Sequence, residues 1–369
     1  MGRVGTATVL RNLQLMNGQT VDIAVQEGII TDIAPAGHAE GVTELDGSGW
    51  YVSSGWIDLH VHAVPELHPY GDEIDEIGVK HGVTTLVDAG SCGSERIGAF
   101  YAETARAVTK VFAFLNISQI GLQRTDELSQ LEWINRDKVV QAAADYPEFI
   151  VGLKARISQS VVKENGILPL KQARALSEET KLPLMVHIGS APPAIGEVLE
   201  LLAAGDIITH YLNGKSNNLF HEDGQPLQGL RNAVQQGVHL DVGHGTASFS
   251  FRTAEQAKAA GIGLDTISTD IYRGNRLNGP VYSMSNVLSK FLYLGYSLEE
   301  VIHAVTRSAA AWLKKPELGE IRVGQQANLT LFTVAEGRQE LTDSEGDVRV
   351  ADRYIEAKGV FVSGSLITC

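Results

Sequence analysis

The sequence predicts an α/β protein, a (β/α)8 TIM barrel with a small β-sandwich domain built from both chain termini. The first observation is that eight apolar, β-rich runs lie between Trp56 and Trp312, with helical patterns between several of them. Eight such units in ~250 residues are typical of this barrel, whereas an open doubly wound sheet would be large with eight strands. The second observation is that short alternating strands flank this region on both sides. The third is that chemically reactive side chains recur where the apolar runs end.

The barrel strands are predicted from these runs, each of which stops at a polar residue. They end near His62, Asp88, Asn116, Lys154, His187, His210, Asp241 and Asp270. Helical patterns over Lys171–Glu179, Ala194–Ala204 and Ala254–Ala260 separate several of them. Since the carboxyl ends of barrel strands meet at one mouth, residues far apart in sequence become neighbours there.

The domain organisation follows from the two flanking zones. Turns at Asn17-Gly18 and Glu27-Gly28 divide the first zone into short strands, and the same pattern returns after Gly319. Neither zone is convincing as an independent domain. We therefore predict one composite β-sandwich domain of residues 1–54 plus 317–369, and a barrel of residues 55–316.

Composition limits the partners. Thirty Lys and Arg residues against 44 Asp and Glu residues give a net charge of −14, which argues against nucleic acid as a partner. No apolar run reaches the ~18 residues that would indicate a membrane span. The two cysteines, Cys92 and Cys369, allow no disulfide framework and no cysteine-type zinc site. We expect a cytoplasmic protein that acts on a small molecule; homo-oligomer formation stays open.

His60 and His62 form the first candidate metal-binding pair. They end the strand in GWIDLHVH, where residues two apart project to the same side and Asp58 shares that face. A bare His-x-His is a weak signal, because most such histidines are packing or surface residues. Its position at a strand end, together with the later candidates, indicates a metal role.

Four further strand ends carry residues suited to the same site: Lys154, His187, His210 and Asp270. Alone, Lys154 would reach solvent, each histidine would be a packed core residue, and Asp270 would cap a helix. Burial near cations would keep the Lys154 amine neutral and able to take up CO2 as an anionic carbamate. Imidazole suits zinc, and Asp270 could bind metal and also transfer a proton.

This combination resembles the amidohydrolase superfamily. The resemblance rests on G-x-I-D-x-H-x-H after the first flanking zone, on the order of Lys154, His187, His210 and Asp270, and on two family-like phrases. Those phrases are GVTTLVDAG (Gly82–Gly90) and LGEIRVGQQANLTLF (Leu318–Phe332). The match covers nearly the whole chain.

The resemblance implies a binuclear site: one cation held by His60, His62 and Asp270, the other by His187 and His210, with N6-carboxylated Lys154 bridging both. Zinc is the expected ion, although manganese, iron or cobalt could serve. The resemblance also implies a deacetylase-like hydrolase that cleaves an acyl ester or amide, such as an N-acetyl amino acid or an O-acetyl 2-hydroxy acid. A metal-bridging hydroxide would attack, with Asp270 as the catalytic proton-transfer group. A cyclic amidase of dihydroorotase type and a purine (adenine) deaminase are the alternatives.

Candidate substrate contacts lie on the loops that follow the strands: Arg156, Tyr211, Asn213, His244, Tyr272 and Arg273. Arg156 shares the face of Lys154 if its strand continues, and its guanidinium could then bind a substrate carboxylate. A solvated arginine is the alternative. Cys92 lacks a neighbouring base in the sequence, and we interpret it as a buried or incidental thiol.

Overall fold

The structure is a computed structural model that describes residues 7–369. Its strands are β1 (Thr8–Gln14), β2 (Thr20–Gln26), β3 (Ile29–Pro35), β4 (Val42–Asp46), β5 (Tyr51–Ser54), β6 (Trp56–Val61), β7 (Val83–Ala89), β8 (Lys110–Asn116), β9 (Ile150–Ile157), β10 (Leu184–Ile188), β11 (Ile207–Thr209), β12 (His239–Asp241), β13 (Leu329–Thr342), β14 (Val348–Val362) and β15 (Ser365–Thr368). Its helices are α1 (Ile74–Ile77), α2 (Ile97–Thr104), α3 (Arg136–Asp145), α4 (Gln159–Val162), α5 (Leu168–Thr180), α6 (Ile195–Leu199), α7 (Gln228–Gln235), α8 (Phe251–Ala259), α9 (Arg273–Asn278), α10 (Met284–Tyr293), α11 (Leu298–Ala304) and α12 (Arg307–Trp312).

Strands β6 to β12 form one parallel sheet in sequence order. These strands are almost wholly buried, which explains why their sequences read as near-continuous apolar runs rather than as alternating ones. The carboxyl ends of all seven strands therefore lie on one side of a half-barrel sheet. This is the side on which the candidate metal residues were expected.

The predicted eighth strand needs a correction, because the segment 264–271 does not form a regular strand. It makes single parallel bridges, Val61 with Ile271 and Asp241 with Thr266. Backbone hydrogen bonds to the neighbouring edges remain, such as Thr266 N–H to Leu240 O at 3.2 Å and Asp270 N–H to His60 O at 2.7 Å. Side chains replace the rest of the ladder: Thr269 donates its N–H and hydroxyl to Asp58, while Thr266 and Ser268 donate to Asp241.

The terminal segments form a second, mixed sheet, to which both ends of the chain contribute strands. Its strand order is β15-β14-β13-β5-β1-β2-β3, with β4 beside β1. The sheet is continuous because β5 pairs with β13 on one side and with β1 on the other. One buried cluster joins side chains from both termini, including Leu10, Ile23, Val52, Leu331 and Phe361.

Several local predictions are confirmed. Glu27, Gly18 and Gly28 have φ values of 53°, 84° and 78°, as tight turns between short strands require. Helices α5, α6 and α8 occupy the three segments predicted as helical, although α6 ends at Leu199, earlier than expected. No helix in residues 7–369 is both long and apolar enough to cross a bilayer.

Candidate metal centre

The structure brings side chains from the predicted strand ends into one buried group. His60 lies on β6 and His62 directly follows it; Lys154 lies within β9. Asp270 Oδ1 is 3.1 Å from His62 Nε2 and 3.4 Å from His60 Nε2, and Lys154 Nζ is 3.2 Å from His60 Nε2. Residues separated by up to 210 positions in the sequence thus meet at the carboxyl edge of the sheet.

His187 and His210 complete this group. Their ring centroids are 4.4 Å apart, and the His210 ring is 5.0 Å from that of His60. Each of His60, His210 and Asp270 offers one ligand atom, and these three atoms lie within 4.8 Å of one another. The His210 Nε2 atom is buried and has no hydrogen-bond partner. A buried acceptor of this kind costs free energy unless something binds it, so the residues present fit a cation.

Hydrogen bonds on the far side of the rings set the histidine tautomers. His210 Nδ1 is 2.5 Å from Gly243 O, which can only accept, so Nδ1 carries the proton and Nε2 keeps its lone pair. His60 Nδ1 is 2.8 Å from Thr209 Oγ1, whose hydroxyl donates to Asp241 at 2.8 Å. Because the Thr209 hydroxyl proton points to Asp241, His60 Nδ1 must be the donor to Thr209 Oγ1. His60 Nε2 therefore carries no proton and keeps its lone pair, as His210 Nε2 does. Such supporting contacts are typical of metal-binding histidines.

Burial also lowers the pKa values of three of the histidines and of Lys154. It lowers the pKa of His210 to about 3 and holds the pKa values of His60 and His187 well below their usual value. Burial lowers the pKa of Lys154 to about 7. For Asp270 burial acts in the opposite sense, but the hydrogen bond from His62 helps to bring its net pKa below normal. The site therefore combines three neutral imidazoles, those of His60, His187 and His210, with one ionised carboxylate, which is a metal-binding set.

Two of these residues have a left-handed backbone. The φ angle is 70° at His210 and 51° at Asp270, which costs a non-glycine residue roughly 1–2 kcal/mol. Strain of this kind concentrates at functional sites, where the surrounding structure fixes it. The left-handed conformation directs the side chains of His210 and Asp270 toward the other candidate metal ligands. Both residues lie where a strand, or the strand-like segment 264–271, ends.

A cavity of about 200 Å³ opens beside this group. The walls comprise His60, His62, Tyr70, Leu122, Lys154, Arg156, Ser158, Ser160, His187, Ser190, Lys215, Thr246, Ala247, Ser248, Asp270 and Tyr272. Two of the six predicted substrate contacts, Arg156 and Tyr272, belong to it. The Tyr272 hydroxyl is 2.7 Å from Thr246 Oγ1. Strand β9 continues to Ile157, which puts Arg156 on the same side as Lys154.

The other four predicted contacts lie elsewhere. Tyr211 is buried in the core, where its hydroxyl donates to Gly263 O at 3.3 Å. Asn213 Nδ2 donates to His210 O at 2.9 Å and stabilises the turn after β11. His244 Nε2 accepts from the buried Lys290 Nζ at 2.7 Å.

Arg273, the fourth, is 3.6 Å from the carboxylate of Asp72 and opens helix α9. Cys92 is buried, and burial raises its pKa well above normal, in keeping with an unreactive thiol.

The cavity also contains residues that the sequence analysis missed: Tyr70, Ser158, Ser190 and Lys215. A signal for Lys215 was available, since it lies on the loop that follows His210 and such loops line barrel active sites. Tyr70 carried no signal, because it lies in an irregular segment between β6 and α1.

Comparison with known proteins places the chain in a family. A family model described as a deacetylase-like composite domain matches residues 321–366, within the terminal sheet. A deacetylase from Enterococcus faecalis is 41% identical over 362 residues, covering 97% of this chain and 98% of that protein. A crystal structure of an adenine deaminase matches with a TM-score of 0.94 at 40% identity, over 99% of this chain and 100% of that one. A crystal structure of a dihydroorotase matches with a TM-score of 0.91 at 34% identity, over 99% of each. The chain therefore belongs to the amidohydrolase superfamily, in the family of the deacetylases that it resembles along its full length.

Proposed function

We propose that this chain is a metal-dependent hydrolase that removes an acyl group from an ester or amide of a small carboxylic acid. N-acetyl amino acids and O-acetyl 2-hydroxy acids are the proposed substrates. The observation that carries the metal requirement is the buried, unpartnered His210 Nε2 beside His60 and Asp270. The identity to a deacetylase over nearly the whole chain supports the reaction class.

The donor set supports a binuclear centre. His60, His62 and Asp270 would hold one divalent cation, and His187 and His210 the other. Lys154 would bridge both after its neutral amine adds CO2, forming an N–C bond and releasing one proton. Bound divalent cations supply Lewis-acid chemistry, lowering the pKa of a water molecule and polarising a carbonyl. Zinc suits this nitrogen-rich set, and manganese, iron and cobalt are the other candidates.

Asp270 is the proposed proton-transfer group. It lines the cavity and is ionised, because its pKa lies below normal, with the hydrogen bond from His62 as the main lowering contact. Its carboxylate can accept a proton from the attacking water and deliver it to the leaving nitrogen or oxygen. Tyr272 and Arg156 lie on the walls around it, where they would orient the substrate.

The proposal extends to the closure of the barrel and to the division of the chain into two domains. We propose that the segment 264–271 closes β6 to β12 into a (β/α)8 barrel of residues 55–316. Residues 1–54 plus 317–369 would form the second domain. A cytoplasmic location, a small-molecule substrate and the absence of nucleic-acid and membrane partners stay predictions.

A second candidate reaction is deamination of a purine or opening of a cyclic amide. It is favoured by the two structural matches, one to an adenine deaminase and one to a dihydroorotase. Deaminases of this superfamily that use one metal need no bridging lysine, so the buried Lys154 beside His60 argues against a one-metal deaminase.

Acid release distinguishes these reactions. The enzyme is produced in cells supplied with bicarbonate and is then loaded with zinc. It is assayed with both enantiomers of N-acetyl amino acids and of O-acetyl 2-hydroxy acids. We expect stereoselective acetate release. If none of these compounds releases acetate, while adenine releases ammonia or cyclic amides are opened, the deacylase proposal is wrong and the second candidate reaction is supported.

A further inference from the structure

Besides Lys154, two basic side chains line the cavity, Arg156 and Lys215, and they differ in their partners. Arg156 NH1 donates to both carboxylate oxygens of Glu127, at 3.0 and 3.2 Å. Glu127 is fully buried, so it cannot exchange this partner for water. The charge of Arg156 is thus already matched within the protein.

Lys215 has no direct contact of this kind; the carboxylate of Asp270 attracts its charge only from a longer distance. Within residues 7–369, no carboxylate oxygen lies within 4.0 Å of its Nζ, and the Nζ makes no hydrogen bond. The side chain is half-buried and lines the cavity. An ammonium group carries three N–H donors and no acceptor. The Lys215 donors are therefore available to hydrogen-bond acceptors of a molecule bound in the cavity.

The backbone around Lys215 is fixed to the metal centre. Lys215 N–H donates to Asn213 Oδ1 at 3.1 Å, and Asn213 Nδ2 donates to His210 O at 2.9 Å. Gly214 packs so closely against the Glu345 carboxylate that a Cβ there would overlap it. The loop that carries Lys215 is therefore held at a set position relative to His210, as pre-organised recognition requires.

We infer that Lys215 is the anion-binding residue of the cavity and selects substrates that carry a free carboxylate. This inference rests on the proposed function and names its specificity-determining residue. In a chain with a net charge of −14, an anion needs such a local cation to enter. Arg156 forms a wall of the cavity, fixed by Glu127, and is not the main carboxylate ligand.

A matched pair of compounds tests the inference. An N-acetyl amino acid and its C-terminal carboxamide have nearly the same shape but differ in charge. In Lys215→Met, we expect kcat/KM for the carboxylate to fall by roughly 10- to 100-fold, the loss of a charge-assisted hydrogen bond, with the carboxamide within about 2-fold of wild type. Lys215→Arg should recover most of the carboxylate activity. Equal losses on both compounds, or no loss on either, would overturn the inference.

A binding measurement separates this inference from the proposed function. The dissociation constants of the same two compounds are measured by calorimetry with metal-loaded wild type and Lys215→Met, at a temperature where turnover is negligible. Tighter carboxylate binding that Lys215→Met abolishes would support the anion site even if wild type released no acetate. Carboxylate binding that is unchanged in Lys215→Met would overturn it even if wild type proved to be a deacetylase.

Discussion

Gly245 lies directly against the carboxylate of Asp270: a Cβ at this glycine would overlap Asp270 Oδ2. The φ angle of Gly245 is 54°, and its N–H donates to Thr269 O at 2.9 Å. The loop after β12 thus supports the side chain proposed to hold metal and move the proton. A residue with no side chain is required there for two reasons, the backbone conformation and the close approach.

Gly245→Ala separates these two reasons. Both the left-handed backbone and the displaced carboxylate should cost stability, but only the displacement should weaken metal binding. Gly261→Ala is the matched control, since φ is 70° there and nothing lies within 4 Å of the added Cβ. We expect each variant to lose about 1 kcal/mol from its backbone, and Gly245→Ala alone to lose bound metal and turnover. Equal metal contents in the two variants would show that the contact with Asp270 is irrelevant.

Asp58 links β6 to the irregular segment 264–271. It accepts hydrogen bonds from Thr269 N–H at 3.0 Å and from the Thr269 hydroxyl at 2.5 Å, next to Asp270. Asp58→Ala should weaken metal affinity by about 10- to 100-fold, as expected for groups that orient metal ligands. Asp206→Ala is the control: this buried carboxylate accepts from Leu184 N–H and Ala203 N–H near the opposite ends of the strands. It should lower stability without changing metal affinity; a similar loss of affinity in both would contradict the assignment.

Lys154 is the residue on which the two-metal proposal depends most. Its Nζ contacts His60 Nε2 and Met185 Sδ, each at 3.2 Å, in a fully buried position. Lys154→Ala should remain folded but lose bridged metal and activity. Metal analysis by mass spectrometry together with circular dichroism checks this. A variant with two metals per chain and wild-type turnover would rule out the bridge.

The low pKa of Lys154 also predicts how stability depends on pH in the metal-free protein. Burial lowers the folded pKa to about 7, whereas an unfolded lysine titrates near 10.4. Between these values the unfolded chain binds more protons, so the Lys154 contribution to the free energy of unfolding rises with pH. Below about pH 7 it is constant.

Urea unfolding of wild type and Lys154→Met at several pH values measures this contribution. Wild type should gain more stability than the variant between pH 7 and about 10. Burial likewise lowers the pKa of Lys290 to about 7, but Lys290 is present in both proteins and cancels. Parallel profiles would contradict the lowered pKa.

The sequence was sufficient to predict that the side chains at the strand ends converge, because parallel strands place their carboxyl ends at one edge of the sheet. It was not sufficient to predict where the side chains just beyond those ends lie. The left-handed backbone at His210 breaks the two-residue alternation, which sends Tyr211 into the core. Glycines with positive φ on both sides of His244 direct that ring toward Lys290 instead of the cavity. Pairing across 29 residues, as between Arg156 and Glu127, leaves no local signal at all.

Acetate release as a function of added metal is the most direct test of the proposal that two cations drive deacylation at this site. Chelated protein is supplied with bicarbonate and zinc in fractions of an equivalent, and release is followed from the preferred enantiomer of an N-acetyl amino acid. We predict no release without metal and a rise to a plateau at two cations per chain, and we predict that this rise is absent in Lys154→Ala. Release that is independent of added metal in fully chelated protein would contradict it.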